Sequence, residues 1–423
     1  MLLLTRKRCA VTVNGGKRMN NGVSLEVLSP AGDFERLRAA VQYGADAVYL
    51  AGKQFGMRAS QTNFDEQELK EAVTFCHARN VRVYLTVNVL PRNGEIDALP
   101  AYLKTVQAAG VDAVIVSDLG ALAVVKREAP ELEIHISTQN GIVNYETANM
   151  LYSLGAKRVV LARELSLSEI AEIRRRTPPE LEIEVFVHGA MCMSFSGRCV
   201  LSNYLTGRDA NRGECAQPCR WGYYLMEEKR PGLYFPVFED EKGSYILNAK
   251  DLCMLDYIDK LAEAGVTSLK IEGRAKSSYY VAVVTNAYRI AVDDYRQNPS
   301  GFVLRPWLHD EVEKVSHRQY STGFYFDTPA QYYENGGYIR EYDIVAITGA
   351  YENGRLFLTQ KNKFCEGDTV EILEPGKEPV SLVVRGMRNE AGESIEAACH
   401  PEMALSIESA RAYLPLSMVR KKK

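Results

Sequence analysis

Four phrases decide the fold. Tyr43–Leu50 reads YGADAVYL, Ala109–Val116 reads AGVDAVIV, Leu154–Leu161 reads LGAKRVVL and Ala264–Ile271 reads AGVTSLKI. In each, a glycine follows a helical pattern and opens a short apolar run. Glycine suits the left-handed residue that closes a helix. The Val, Ile and Leu run suits a strand buried on both faces. Working outward from these phrases, eight strands are expected, beginning near Leu25, Ala47, Val81, Ala113, Glu133, Arg158, Glu182 and Thr267. Helical patterning fills most of the intervals, as over Phe34–Tyr43, Glu66–Ala78 and Leu167–Arg175. Eight alternations of strand and helix predict an α/β fold, a TIM-type (β/α)8-like barrel, with a doubly wound open sheet as the competing arrangement.

The pattern changes after the eighth strand. A helix is expected over Ser278–Asp294, then a stretch marked by Pro and Gly from Asn298 to Pro306, then an aromatic-rich connector through Tyr338. From Glu341 to Leu416, short alternating runs (DIVAITGAY, GRLFLTQ, DTVEIL, SLVVRGM) are broken by Gly, Asn and Pro. They predict a small all-β barrel domain. The expected organisation is a disordered leader over 1–22, the α/β barrel over 23–300 with a cysteine-rich insertion at about 188–266, a connector over 301–340, and the β domain over 341–423. The closing Arg420–Lys423 is expected to be a solvated basic tail, with weak RNA binding as the sharper alternative.

The chain has 423 residues, 46% hydrophobic and 25% charged, with a net charge of −3. This is ordinary globular composition. The charge counts against broad phosphate binding, so a nucleic-acid role must rest on a local patch. No apolar run reaches the roughly 18 residues that a membrane span needs. Leu2–Leu4 precede Arg6–Arg8, the reverse of a secretory signal. A cytoplasmic protein without a membrane partner is expected.

In such a barrel, chemistry collects where the strands end. Those ends are polar here: Ser29–Asp33, Asn88, Ser117-Asp118, Ser137–Asn140, Arg163-Glu164, His188-Gly189 and Lys270–Arg274. The long interval after the seventh strand carries Cys192, Cys199, Cys215, Cys219 and Cys253, five of the nine cysteines. An odd total and a reducing compartment argue against a disulfide framework. His188 and Cys192 lie four apart and could form a base–nucleophile pair, but the remaining cysteines would then be unexplained. No Gly-x-Ser-x-Gly or His-Glu-x-x-His motif is present. Four thiolates suit a soft metal centre, either zinc or an iron–sulfur cluster. Only Cys215 and Cys219 have the tight spacing usual for zinc, so the wide spacing of the others favours a cluster.

Glu184–Ser202, EVFVHGAMCMSFSGRCVLS, resembles the signature of the collagenase-like peptidase family U32. Glu184, Phe186, Gly189, Ala190, Cys192, Gly197, Cys199 and Ser202 fill its slots. The resemblance extends over SPAGD (29–33), NRGECAQPCRW (211–221), NAKDL (248–252) and KIEGR (270–274). It covers residues 24–295 well and the β domain more loosely. It implies a 4Fe–4S cluster, with Cys192, Cys199 and Cys215 as ligands. Cys219 is the fourth ligand by likeness to the RNA-modifying branch, and Cys253 is the alternative by likeness to the quinone-hydroxylating branch. The RNA branch implies hydroxylation of a tRNA anticodon uridine to 5-hydroxyuridine, linked to prephenate, so tRNA and a small carboxylate metabolite become expected partners. The alternatives are proteolysis, as the family name promises, or a role as a subunit with a related partner in another RNA or quinone hydroxylation.

Within that reading, Arg274, with Arg163 and Arg58, is expected to pair the carboxylates, because arginine does so bidentately. Glu272 is a candidate acid or base, or the neutraliser of Lys270 and Arg274. Lys270 is a candidate substrate contact. Tyr204 and Trp221 are candidates for stacking on a base. Arg198, Arg208, Arg212 and Arg220 are candidates for phosphates. His188 is expected to shape the surroundings of the cluster, or equally to be a satisfied structural histidine.

Overall fold

The computed structural model describes residues 25–57, 63–191, 201–209, 214–218, 221, 249–327 and 338–423, with the strand pairs 225–226, 234–235, 239–240 and 243–244. The 1–22 leader lies outside these residues. Eight parallel strands begin at Glu26, Ala47, Arg82, Ala113, Glu133, Arg158, Glu182 and Ser268, each within one residue of its expected start. The last of them, Ser268–Ile271, pairs with both the first and the seventh strand. The sheet therefore closes into a barrel, and the open-sheet alternative is overturned.

Local chemistry explains the helices between the strands. Asp33 caps the helix Phe34–Gln42 by accepting from the Arg36 N–H. Asp65 with Glu68, and Ser166 with Glu169, form reciprocal capping boxes at Glu66–His77 and Leu167–Arg175. Gly110 closes the helix Leu99–Ala109 in the left-handed conformation. Among the described residues, no helix is long and apolar enough to cross a membrane.

The strands are buried on both faces, but only one face is apolar. Outward residues such as Val27, Val83, Leu85, Val114, Ile134, Ile183 and Val185 pack with the helices into the main core. Inward residues alternate with them. Leu28, Ala47, Tyr49, Tyr84, Ala113 and Ile115 make a small apolar cluster. Glu26, His135, Arg158, Glu184, Ser268 and Lys270 are also buried, and they make the rest of the lumen polar. The expectation of strands buried on both faces holds, and the buried charges pair with one another inside the barrel instead of facing water.

The seventh strand, Glu182–Gly189, runs past the barrel. Its end pairs antiparallel with Asp251–Cys253, which pairs in turn with Tyr320–Ser321 of the connector. Asp251 accepts from Arg318 Nη2 at 2.7 Å and Nε at 3.0 Å, and both residues are buried. This ion pair fastens the connector to the barrel.

The C-terminal domain is antiparallel β, as expected. Its seven-stranded sheet runs in the order Val380–Val383, Thr369–Leu373, Met418–Lys422, Tyr342–Glu352, Arg355–Gln360, Ala404–Glu408, Arg388–Asn389. It has its own core, which includes Leu356, Phe364, Ile372, Ile407 and Val419. The expectation of a solvated tail is corrected for Arg420: Met418–Lys422 is an interior strand of this sheet, while Lys422 and Lys423 stay exposed. Alternate residues of such a strand must face inward, so Arg420 is fully buried, and it pairs with Glu311 at 2.5 Å and Glu371 at 2.6 Å. Tyr43 completes the seam with the barrel by donating to the Leu373 carbonyl and accepting from the Met418 N–H.

Candidate active site at the barrel mouth

The lumen below the mouth is closed by ion pairs. Arg158 reaches Glu26 at 2.6 Å, Glu182 at 2.5 Å and Glu184 at 3.0 Å. Glu184 also takes the Lys270 ammonium at 2.6 Å. Arg82 and the Tyr84 hydroxyl donate to Glu26, each at 2.6 Å. Burial pushes the carboxyl of Glu26 up, but Arg158, Arg82 and the Tyr84 hydroxyl outweigh it and hold it well below the usual carboxylate range. Glu184 is lowered in the same way, with burial outweighed by Lys270 and Arg158. Lys270 thus sits beneath the mouth with its charge met by Glu184.

Above this layer the strand-end motifs pack on one another. A side chain at Gly32 of SPAGD would strike the Arg274 carbonyl of KIEGR. Gly189, at φ +104°, would strike the Glu272 carbonyl. Close backbone approach is the reason these positions carry glycine. The strand-end amides form a network on the opposite side of the mouth. Ser117 Oγ donates to the Asn88 carbonyl at 3.1 Å and to Gln139 Oε1 at 3.0 Å, and Asn140 donates to the Ser117 carbonyl. Arg274 is buried and bonded to the Met57 carbonyl and to Thr86. Arg163 Nη1 donates to the Ala190 carbonyl at 2.7 Å, Nη2 faces Glu272 at 3.4 Å, and its guanidinium lies 3.7 Å from the Phe186 ring centroid. Arg163, Glu272 and Arg274 are thus brought to one mouth, together with the strand end that leads to Cys192.

His188 is 1% exposed. Nε2 lies 3.2 Å from the Tyr320 hydroxyl and Nδ1 lies 3.4 Å from that of Tyr288. Burial lowers its pKa to about 3, so the ring is neutral. It braces the strand end against the connector and the helix Ser278–Gln297, and a buried, tyrosine-bonded imidazole is a poor base for a Cys192 nucleophile.

Cys192, Cys199, Cys219, Arg58, Arg198, Arg212 and Arg220 lie outside the described residues, as does the side chain of Tyr204. The parts around them are informative. Cys215 is exposed. The next residue, Ala216, donates its N–H to Ser202 Oγ at 3.0 Å, and Ser202 is buried three positions after Cys199. This bond brings the chain at Cys215 back to the chain just after Cys199. Cys253 is buried, and burial pushes its thiol up to about 12. Four thiolates would suit an iron–sulfur group by their chemistry. Trp221 is 44% exposed and Arg208 is exposed.

Glu26, Arg158, Asp251, Arg318, Tyr288 and Tyr320 were not singled out from the sequence, and Glu184 was read only as a signature residue. One signal was available for the lumen set. Runs such as Arg82-Val83-Tyr84-Leu85-Thr86 and Glu182-Ile183-Glu184-Val185-Phe186 alternate polar and apolar residues, which is the mark of a polar lumen. No local signal pairs Asp251 with Arg318.

Fold and mouth together define an α/β-barrel protein whose strand-end loops frame a cysteine-bearing insertion, with an antiparallel β domain appended. The profile of peptidase family U32 matches residues 32–335, and that of the family's C-terminal domain matches residues 340–420. The chain belongs to peptidase family U32. It is 37% identical over 418 residues to tRNA hydroxylation protein P1 of Bacillus subtilis (strain 168), with 97% of this chain and 98% of that protein covered. It is 36% identical over 417 residues to tRNA hydroxylation protein P of Escherichia coli (strain K12), with 88% and 91% covered. It is also 37% identical over 310 residues to a collagenase of Porphyromonas gingivalis, with 71% and 73% covered.

Proposed function

We propose that this protein is an RNA hydroxylase of the cytoplasm that converts a tRNA anticodon uridine to 5-hydroxyuridine, in a reaction linked to prephenate. The observation that carries this reading is similarity to a tRNA hydroxylation protein over 97% of the chain, through the mouth motifs and the β domain alike. The proteolytic reading is weaker, because His188 is buried and bonded to two tyrosines and so is not poised as a base.

Cys192, Cys199, Cys215 and Cys219, with Cys253 as the alternative fourth ligand, would hold a 4Fe–4S cluster, which would supply one-electron or Lewis-acid chemistry. The protein's own groups do the rest. Arg274, in the turn after the eighth strand, would pair a small carboxylate by exchanging for it the bonds it makes to the Met57 carbonyl and Thr86. Glu272, which faces Arg163 Nη2, would take or give a proton. Trp221 offers an exposed ring for stacking and Arg208 a cation for phosphate.

Nucleoside mass spectrometry of bulk tRNA tests the reading in the host with this gene, without it, and with Cys192→Ala. The expected result is loss of 5-hydroxyuridine in the last two strains. Identical tRNA pools would overturn it and direct attention to ribosomal RNA, quinones and peptides.

A further inference from the structure

The geometry points to Arg163 as a positioning residue that sets the start of the cysteine-bearing loop against the Glu272 carboxylate. This inference rests on the iron–sulfur reading above for its consequence, but not for its geometry.

Arg163 follows the sixth barrel strand, and its side chain is 13% exposed. Three contacts orient it. Nη1 donates to the Ala190 carbonyl at 2.7 Å, Nη2 faces Glu272 Oε2 at 3.4 Å, and the guanidinium stacks on Phe186 at 3.7 Å. Phe186 is itself backed by Lys270, whose Nζ lies 5.5 Å from the ring centroid and is tied to Glu184. The chain of contacts therefore runs from the ion pairs of the lumen, through the ring, to the loop.

Ala190 is the place where such a grip matters. Gly189 is the last residue of the seventh strand, and its register against Leu252 sets where that strand stops. Ala190 is the first residue beyond it, two before Cys192. Capturing the Ala190 carbonyl sets the direction in which the chain leaves the barrel toward Cys192. A planar fork can hold a carbonyl and a carboxylate while stacking on a ring, which an ammonium cannot do. The same contacts withdraw Arg163 from substrate binding. Both terminal nitrogens face protein acceptors, and Nε is buried with no partner among the described residues, so a carboxylate from solvent has no approach to it.

The test uses the full chain with Arg163→Gln and Arg163→Lys, each supplied anaerobically with ferrous iron and sulfide. Iron and sulfide bound per chain are measured at limiting iron. Amide exchange of the metal-free chain is followed in the peptide covering residues 188–201, with thermal unfolding as the control for global stability. Both variants are expected to lose roughly 10–100-fold in apparent affinity for the cluster components, as removal of an outer partner does at metal sites. Exchange in the peptide is expected to quicken about tenfold or more, as loss of a charge-assisted hydrogen bond implies, while exchange in the β domain stays unchanged. If Gln disturbs folding, the charge-retaining Lys variant decides. Parental loading and exchange, with a raised KM for prephenate, would overturn the inference and make Arg163 a substrate ligand. If the unsubstituted chain takes up no cluster, the iron–sulfur reading fails, and the exchange measurement alone decides for Arg163: quickened exchange upholds it, and parental exchange overturns it.

Discussion

Arg158 in the barrel lumen and Arg420 at the domain seam are both shut away from water, at 1% and 0% exposure, and both are ringed by carboxylates. They are built in opposite ways. Arg158 and its partners Glu26, Glu182 and Glu184 come from the starts of barrel strands, so the barrel's own register brings them together. Arg420 meets Glu311, 109 residues away on the connector helix Pro306–Glu313, and Glu371, 49 residues away in the β domain. The lumen cluster thus belongs to one element type repeated, whereas the seam cluster exists only once three separate segments have docked. Buried ion pairs stabilise little in net terms but are costly to break by halves, because the abandoned charge stays buried.

Removing one partner tests this contrast. Arg158→Met should have the largest effect, near the upper end of about 3–5 kcal/mol for breaking a buried pair. Glu26 and Glu184 would remain buried, with the half-exposed Arg82 and Lys270 as their remaining cations and the Tyr84 and Ser268 hydroxyls donating to Glu26. Urea unfolding would show one destabilised transition for the barrel. Arg420→Met should cost less, about 3 kcal/mol, because Lys314 still reaches both Glu311 at 2.9 Å and Glu371 at 3.1 Å. Its loss should appear as early release of the β domain in hydrogen exchange. Equal costs, or barrel exchange that quickens with the Arg420 change, would erase the distinction drawn between the clusters.

Acid sharpens the comparison at a smaller scale. Glu26 and Glu184 have folded pKa values lowered below those of the unfolded chain. Their contribution is therefore present above the unfolded value, about 4.3, and is lost as pH falls below it toward the folded values. Between pH 5 and pH 3 that is about 1–2 kcal/mol for Glu26. Urea midpoints measured across that window should fall steeply for the parent chain and less steeply for Glu26→Gln. A parallel fall in both would mean that Glu26 is not part of the acid-sensitive set.

The barrel was legible because its signal is local and repeated. Glycine at the helix end and an aliphatic run after it recur at Gly44, Gly110, Gly155 and Gly265, and each strand starts where that phrase places it. The helix caps at Asp33, Asp65 and Ser166 are local in the same sense. The site was legible only in part. The strand-end motifs announced a mouth, and the cysteine spacing led to the proposal of a metal-type donor set, but neither says which groups face each other. Arg163 read as a ligand for a substrate carboxylate, and its bond to the Ala190 carbonyl depends on how the sixth and seventh strands end in space. His188 read equally well as a functional or a structural histidine until Tyr288 and Tyr320, far along the chain, closed around it. Arg420 read as part of a basic tail because charge composition gives no hint of a strand buried between two others.

What the sequence by itself determined, then, was the kind and order of elements and the chemical types gathered at the strand ends. Those follow from backbone preferences and from hydrophobic periodicity, which act over a few residues. Only the tertiary structure decided which charges neutralise one another, which motif glycines are packed against which carbonyls, and which arginine grips the cysteine loop. A hydrogen bond or ion pair is made over about 3 Å of space, whatever the length of chain between its partners.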